Sequence, residues 1–201
     1  DGLTDGEEVL TYGSSPNRAD SDYDSMPDAW EVANGLDPAS SNYGDSDEDG
    51  FNDRDEYQLG TSPNDANSAP EPISQIHETF ESGQLSDLWV TPEDSDGVWS
   101  ISDSDAQQGN YSLQTSVIEQ GQKVTVKWFG YFNGGQIRFD YKVKSRESYS
   151  FFKFSIDGYN EVSLSGEHDW KTIQEWVSSG VHTLTWSYTK SSSDNSTGDG
   201  V

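Results

Sequence analysis

Seven carboxylates crowd the twelve residues 45–56, DSDEDGFNDRDE, and Arg54 is the one basic side chain among them. Such a segment has too few apolar residues to build a core, and its charges repel one another, so something outside the chain must organise it. The spacing identifies that agent. Asp45, Asp47 and Asp49 alternate, Gly50 follows, Asp53 stands ninth and Glu56 twelfth; this is the D-x-D-x-D-G-x5-E arrangement of a calcium loop. Calcium takes roughly six to eight oxygens, so such a loop wraps it with alternate side chains, turns at the glycine, lends a carbonyl from the seventh position and closes with a bidentate glutamate. The expected ligands are Asp45, Asp47, Asp49, the Phe51 carbonyl, Asp53 and Glu56.

The same spacing recurs twenty-five residues upstream in DSDYDSMPDAWE, with Asp20, Asp22, Asp24, the carbonyl of Met26, Asp28 and Glu31 in the matching places. Two copies make a repeat. Ser25 stands where glycine is expected, which predicts strain at that turn. At the start of the chain DGLTDGEE matches the fifth to twelfth positions, aligning Asp1, Asp5 and Glu8 with the first two ligands missing. The chain is thus expected to begin inside a repeat, as a fragment with a half-built third site.

Each loop leads into a short amphipathic turn and then a stop: GSSP at 13–16, GLDP at 35–38 and GTSP at 60–63. Glycine followed by proline ends a helix within a turn or two. Loop and stop together resemble the thrombospondin type 3 repeat of secreted and surface proteins of bacteria. That resemblance covers about the first 68 residues and implies a calcium-wrapped, stiff spacer with little hydrophobic core. Animal versions carry disulfide cysteines and this chain has none, a departure that favours the bacterial branch. A dockerin also has two such loops, but its loops usually end in Asp and run into longer helices.

Residues 1–70 hold 18 acids and 2 bases, and the remainder 19 and 9. The first stretch is therefore expected to be largely disordered without calcium. A net charge of −26 excludes nucleic acid as a natural partner. No run of eighteen apolar residues and no intact signal peptide occurs. Zero cysteine is neutral on redox compartment. Loose calcium sites fill in extracellular medium, so the expected location is secreted or at the cell surface.

Around NSAPEP at 67–72 the repeat gives way to a stiff linker, assigned to residues 69–75, and the pattern changes to period two over 76–201. QIRFDYKV places Ile137, Phe139, Tyr141 and Val143 on one face; FKFSI, KVTVKW and HTLTWSY alternate in the same way. Further strands are expected near 78–81, 97–102, 111–118, 160–164 and 169–177, with turns at Asn133-Gly134-Gly135 and Asp157-Gly158. The fold class is mostly β: an irregular calcium-loop segment followed by an antiparallel β-sandwich of about nine or ten strands.

ETFESG at 78–83, GNYSLQTS at 109–116, IRFDYKVKSRESYSFFKFSIDG at 137–158, DWK at 169–171 and SSGVHTLTWSYTKSSS at 178–193 resemble the jelly-roll modules of MAM-like and cleaved-adhesin type. These modules accompany bacterial secreted enzymes and adhesins. The resemblance implies a final strand of the type GVWIDDI, absent here, and a structural calcium held by a glutamate such as Glu81 and an aspartate of that strand.

Lys123, Lys127, Arg138, Lys142, Lys144 and Lys153 share the outward phase of three strands; neighbouring strands would gather them into one basic face for an anionic glycan, the alternative being solvated lysines paired with acids. By phase Trp128 and Trp186 belong inside, which leaves Trp89, Trp99, Trp170 and Trp176 as candidates for an exposed platform on which sugar rings stack. His182 reads as a rim histidine, and Glu167-His168-Asp169 as a turn, since carboxylates on one strand do not flank a glycosidic bond. With no recognisable nucleophile motif or phosphate loop, the expectation is a non-catalytic accessory region that binds calcium and polysaccharide. Alternatives are an adhesion or protein-interaction module, and a region that docks on the catalytic domain of its parent, a secreted protease or glycoside hydrolase.

Overall fold

The structure, a computed structural model, describes residues 2–41, 43–73, 77–196 and 200–201. It divides into two compact units, Asp1–Glu71 and Pro72–Val201. Asp1, an expected ligand, lies outside the described residues, as do residues 74–76 at the expected linker boundary.

In the first unit each calcium-type loop runs into a short helix that starts on its ninth-position aspartate. These are α1 (Asp5–Glu7), continued by a π-helical turn over Glu8–Tyr12, α2 (Asp28–Ala33) and α3 (Asp53–Leu59). The twelfth-position glutamates, Glu8, Glu31 and Glu56, therefore fall within about one turn of the helix start. Thr4 and Glu7 form a capping box on α1, and the Asn52 side chain accepts from the Asp55 N–H at the start of α3. The stops act as expected: Gly13, Gly35 and Gly60 take left-handed φ of 73°, 74° and 75°. Behind them the N–H groups of Ser14, Leu36 and Thr61 donate to the carbonyls of Glu8, Glu31 and Glu56 at 3.1, 2.8 and 3.0 Å. Trp30 meets Tyr57 of the next repeat at 4.8 Å between ring centroids. Apart from prolines, Met26 is the one buried apolar side chain of this unit among the described residues.

The second unit contains β1 (Trp99–Ser102), β2 (Ser112–Thr115), β3 (Lys123–Lys144), β4 (Ser150–Ile156), β5 (Tyr159–Leu164) and β6 (Glu167–Lys190). β1 pairs with β2, and the larger sheet runs β3-β6-β4-β5, antiparallel throughout. β3 and β6 make one long ribbon, yet they cannot be straight. Trp186 lies opposite Val126, and Phe139 sits thirteen residues further along β3, about 43 Å away in a straight ribbon. Their rings are 5.8 Å apart. The ribbon thus folds over itself, and its two halves become the layers of a sandwich.

The fold-over occurs where Gly134 (φ 80°) and Gly180 (φ 140°) interrupt the two strands. Asn133-Gly134-Gly135, expected as a hairpin turn, is this bend: Asn133 still pairs with Ser179 and Gly135 with Val177. One layer holds 123–133, 181–190, β4 and β5; the other holds 135–144 and 167–177. Inward residues of both layers build the core, among them Val124, Val126, Phe154, Val143, Ile173 and Leu184. Residues 78–81 form no strand: Phe80 takes φ 62°, its N–H donates to Glu78 Oε1 at 2.8 Å, and its carbonyl accepts the Gly83 N–H at 3.0 Å to open a turn.

Candidate functional site

The interior of the first unit is made of acid. Asp24, Asp28, Glu31, Asp53, Glu56 and Glu8 are all at most 1 % exposed. In the loop 20–31 the Asp20 carboxylate accepts the N–H groups of Tyr23 (2.7 Å) and Ser25 (3.1 Å), Asp22 accepts from Asp24 N–H (3.1 Å), and Asp24 from Met26 N–H (2.9 Å). The loop 45–56 repeats this network. Asp45 accepts from Asp49 and Gly50 N–H at 3.1 and 2.9 Å, Asp47 from Asp49 at 3.2 Å, and Asp49 from Phe51 at 2.9 Å. These bonds hold the loops closed and gather one oxygen from each of Asp20, Asp22 and Asp24, and from each of Asp45, Asp47 and Asp49, within 4.8 Å. Each loop also carries a left-handed residue at its fourth position, Tyr23 (φ 67°) and Glu48 (φ 62°), so the two backbones follow the same path.

Buried and unpartnered are Asp22 Oδ2, Asp47 Oδ2, Asp49 Oδ2, Glu8 Oε1 and both carboxylate oxygens of Glu31 and of Glu56. Burial pushes Glu31 up to about 8, and the charges of Asp24, Asp22, Asp28 and Asp20 add to the rise. Glu56 is pushed up to about 7 by burial first, then by Asp47 and Asp49. The unit's two arginines stack on tyrosines, Arg18 over Tyr23 at 4.7 Å and Arg54 over Tyr43 at 6.0 Å. A buried carboxylate without a partner costs several kcal/mol, so these groups call for a hard cation with many oxygen ligands. They fit calcium.

Asp28 and Asp53 have a second job that motif spacing does not reveal. Both oxygens of Asp28 accept from Ser21, N–H and Oγ at 2.7 Å each, and both oxygens of Asp53 from Ser46 at 2.9 Å each. They brace the helix start against the loop's second residue, and any metal contact they make is shared with those bonds. The serine recurs in both loops, a signal visible on aligning the copies. Asp5 is exposed, whereas Glu8 is buried like its counterparts.

Ser25 takes φ 79° where Gly50 and Gly2 take 102° and 110°. A left-handed residue other than glycine costs about 1 kcal/mol. Ser25→Gly is therefore expected to tighten calcium at the 20–31 loop by roughly 5-fold, read by calorimetric titration; unchanged or weaker binding would show that the strain is absent or the hydroxyl useful.

The second unit divides the other candidates. Trp99 is 6 % exposed, and Trp89 stacks on Trp128 at 5.1 Å and meets Trp186 at 5.1 Å. Trp99 belongs to the core and the half-buried Trp89 packs against it, so neither stands out as an exposed platform. The basic residues do not share one face either, because β6 separates β3 from β4 and the ribbon folds between Lys127 and Arg138. Lys127 and Lys153 flank Thr185 and Ser187 on one layer; Arg138 and Lys142 stand on the other. Lys142 is paired with Asp105 at 2.8 Å and Asp169 at 3.4 Å, and its hydrogen bond holds the Asp105 carboxyl below its ordinary range.

Trp176 stands out: it is 72 % exposed, opposite Gln136 and in line with Gln174 beside Arg138 and Thr172 beside Asp140. Trp170 closes this row, its Nε1–H donating to Asp105 Oδ1 at 3.3 Å. Glu81 is exposed and accepts from the N–H groups of Asn110 and Tyr111 and from Asn110 Nδ2, at 2.9, 3.0 and 3.1 Å.

The family model of the bacterial TSP3 repeat matches residues 1–19 and 45–66. The TSP3 repeat is a calcium-binding repeat, and the cluster Asp45, Asp47, Asp49 and the buried Glu8 and Glu56 lie in the matched segments. No curated protein matches the sequence. Among solved structures, similarity extends to the secreted serine protease VesC from Vibrio cholerae, at 12 % identity and TM-score 0.45 over 61 % of this chain and 24 % of that one. It extends to the CBM22 tandem domain of Paenibacillus barcinonensis Xyn10C, at 16 % and 0.41 over 66 % and 43 %. TmCBM61 in complex with β-1,4-galactotriose is similar at 19 % and 0.38, over 60 % and 86 %. The chain thus spans about a quarter of VesC and under half of the tandem domain. No helix of the described residues is long and apolar enough to cross a membrane.

Proposed function

We propose that this chain is an accessory region of a secreted bacterial protein, in which calcium-loaded repeats form a stiff spacer and the sandwich binds polysaccharide. Two calcium ions, one in each complete loop, and a third shared by Asp5 and Glu8 with further donors account for the buried orphan oxygens. Glu81 is a candidate ligand for an ion in the sandwich. Extracellular calcium suits loops of this kind, which supports secretion.

The observation that carries the polysaccharide reading is Trp176, 72 % exposed on a sheet face. Ligand sites combine aromatic rings with a few placed polar groups, and here the ring is followed by a row of Gln174, Thr172 and Trp170 with Gln136, Arg138 and Asp140 alongside. From Trp176 to Trp170 the row spans about 20 Å, several sugar rings long, with amide, hydroxyl and guanidinium groups spaced to meet hydroxyls.

Affinity electrophoresis of the intact calcium-loaded protein against xylan, β-glucan, galactan and pectin tests this. One polymer is expected to retard the wild type, and Trp176→Ala is expected to abolish the retardation, since a stacking ring carries most of the energy of such a contact. Equal mobility in every gel would leave the adhesion or docking reading in its place.

A further inference from the structure

Beyond binding, three side chains at the fold-over make a hydrogen-bonded relay. Asp157, in the turn between β4 and β5, accepts the Thr183 N–H on Oδ1 at 2.8 Å, and its Oδ2 lies 2.6 Å from His182 Nδ1. Nε2 of the same ring lies 2.9 Å from Ser178 Oγ. The carboxylate can only accept, so it fixes the proton on Nδ1; Nε2 is then the bare nitrogen, and the Ser178 hydroxyl donates to it. The order of groups is nucleophile, base, orienting acid, at the separations that serine hydrolysis requires.

The backbone is arranged for this contact. Asp157 takes a left-handed φ of 51°, and its own N–H donates to the Thr183 carbonyl at 2.9 Å, which locks the turn onto β6. Ser178 and Gly134 drop out of the β3–β6 register between two regular pairs. Gly180 takes φ 140°, a conformation suited to glycine, and the His182 ring passes beside it, 3.5 Å from where a Cβ would lie. Phe132 supports the ring at 6.1 Å. The imidazole side is 13 % exposed and Asp157 41 %, while Ser178 is open to solvent. Two exposed rings flank the relay, Trp176 two residues before Ser178 and Tyr159, 77 % exposed, two residues after Asp157.

The geometry points to Ser178 as an activated nucleophile, with His182 as its base and Asp157 as a positioning residue, acting on small carboxylic acyl esters that reach this open edge. Ser178 Oγ attacks the carbonyl carbon as its proton passes to His182 Nε2. The ester C–O bond breaks and the leaving alkoxide takes that proton. Water, giving a proton to Nε2, then cleaves the acyl-serine, releases the carboxylic acid and restores the hydroxyl. General-base assistance of this kind contributes about 10²–10⁴-fold.

The test uses the intact calcium-loaded protein with a fluorophosphonate and with p-nitrophenyl acetate, neither of which depends on polysaccharide binding. Phosphonylation is expected at Ser178, mapped by peptide mass, and lost in His182→Ala; ester hydrolysis is expected to fall at least ~10²-fold in Ser178→Ala, an exposed change that leaves the fold intact. Nitrogen-15 shifts of His182 are expected to report the Nδ1–H tautomer, and Asp157→Ala to erase that signature together with labelling. Labelling of Ser178 no faster than of other exposed serines, hydrolysis unchanged in Ser178→Ala, or an Nε2–H tautomer in the wild type would each overturn the assignment.

Discussion

Chelating calcium at pH 8 is expected to melt the first unit and leave the second folded. Helical ellipticity from residues 5–12, 28–33 and 53–59 should disappear in EDTA, while the emission of the six tryptophans beyond residue 71 stays that of a packed sandwich. The reason is that the interior of the first unit is made of Asp24, Asp28, Glu31, Asp53, Glu56 and Glu8, and apart from prolines Met26 is the one buried apolar side chain among its described residues.

The pH dependence follows from the raised carboxyls. Glu31, ordinarily near 4.5, is pushed up to about 8 in the metal-free fold, and Glu56 up to about 7. Between those limits the folded form binds more protons than the unfolded chain, so its stability falls as pH rises through about 4.5 to 8. Metal-free protein should therefore hold more helix at pH 5 than at pH 8. Calcium reverses the trend, because it binds the ionised form and expels the protons, and its affinity rises over the same window. A circular-dichroism signal indifferent to EDTA, or more helix at pH 8 than at pH 5 without metal, would contradict the carboxylate-core account.

Phe154→Ala is expected to cost about 3–5 kcal/mol, a large share of what a domain of this size has in total. Phe154 is fully buried and meets Phe139 at 5.0 Å and Trp186 at 5.1 Å, which places it on the seam between the two halves of the folded ribbon. Removing the ring leaves a cavity that two strands anchored by their own ladders cannot collapse to fill. Urea unfolding followed by tryptophan emission, with calcium present throughout, reads the loss as a lowered midpoint at constant slope. A loss under 1 kcal/mol would mean that the layers repack without this ring.

The acidic loops were legible in the sequence because everything about them is local: acidic positions, turn and stop sit within about fifteen residues, so the cluster of Asp45, Asp47 and Asp49 and the buried Glu56 could be located by counting. Strand existence was legible from period-two alternation for the same reason. Pairing was not. Asn133-Gly134-Gly135 carries the composition of a hairpin, and only the long-range register with 177–179 shows that the glycines bend a continuous strand. That one difference divided the lysines between two faces. Burial of Trp89 depends on Trp128 and Trp186, residues far along the chain, so phase alone could not place it. The relay of Ser178, His182 and Asp157 joins residues up to 25 apart and has no local spacing to betray it.

The folded ribbon also sets two clocks for the one chain. Each calcium loop closes over about a dozen residues, a search that takes about 10–100 ns once an ion is at hand. The β3–β6 ladder joins Asn133 to Ser179 at its bend and Lys123 to Thr189 at one end, and nothing can zip until the intervening β4 and β5 have been made. Topologies with such distant partners fold in roughly milliseconds to seconds. During that interval the carboxylate unit closes wherever calcium is plentiful, so it is already structured while the strand edges of the sandwich are still unpaired.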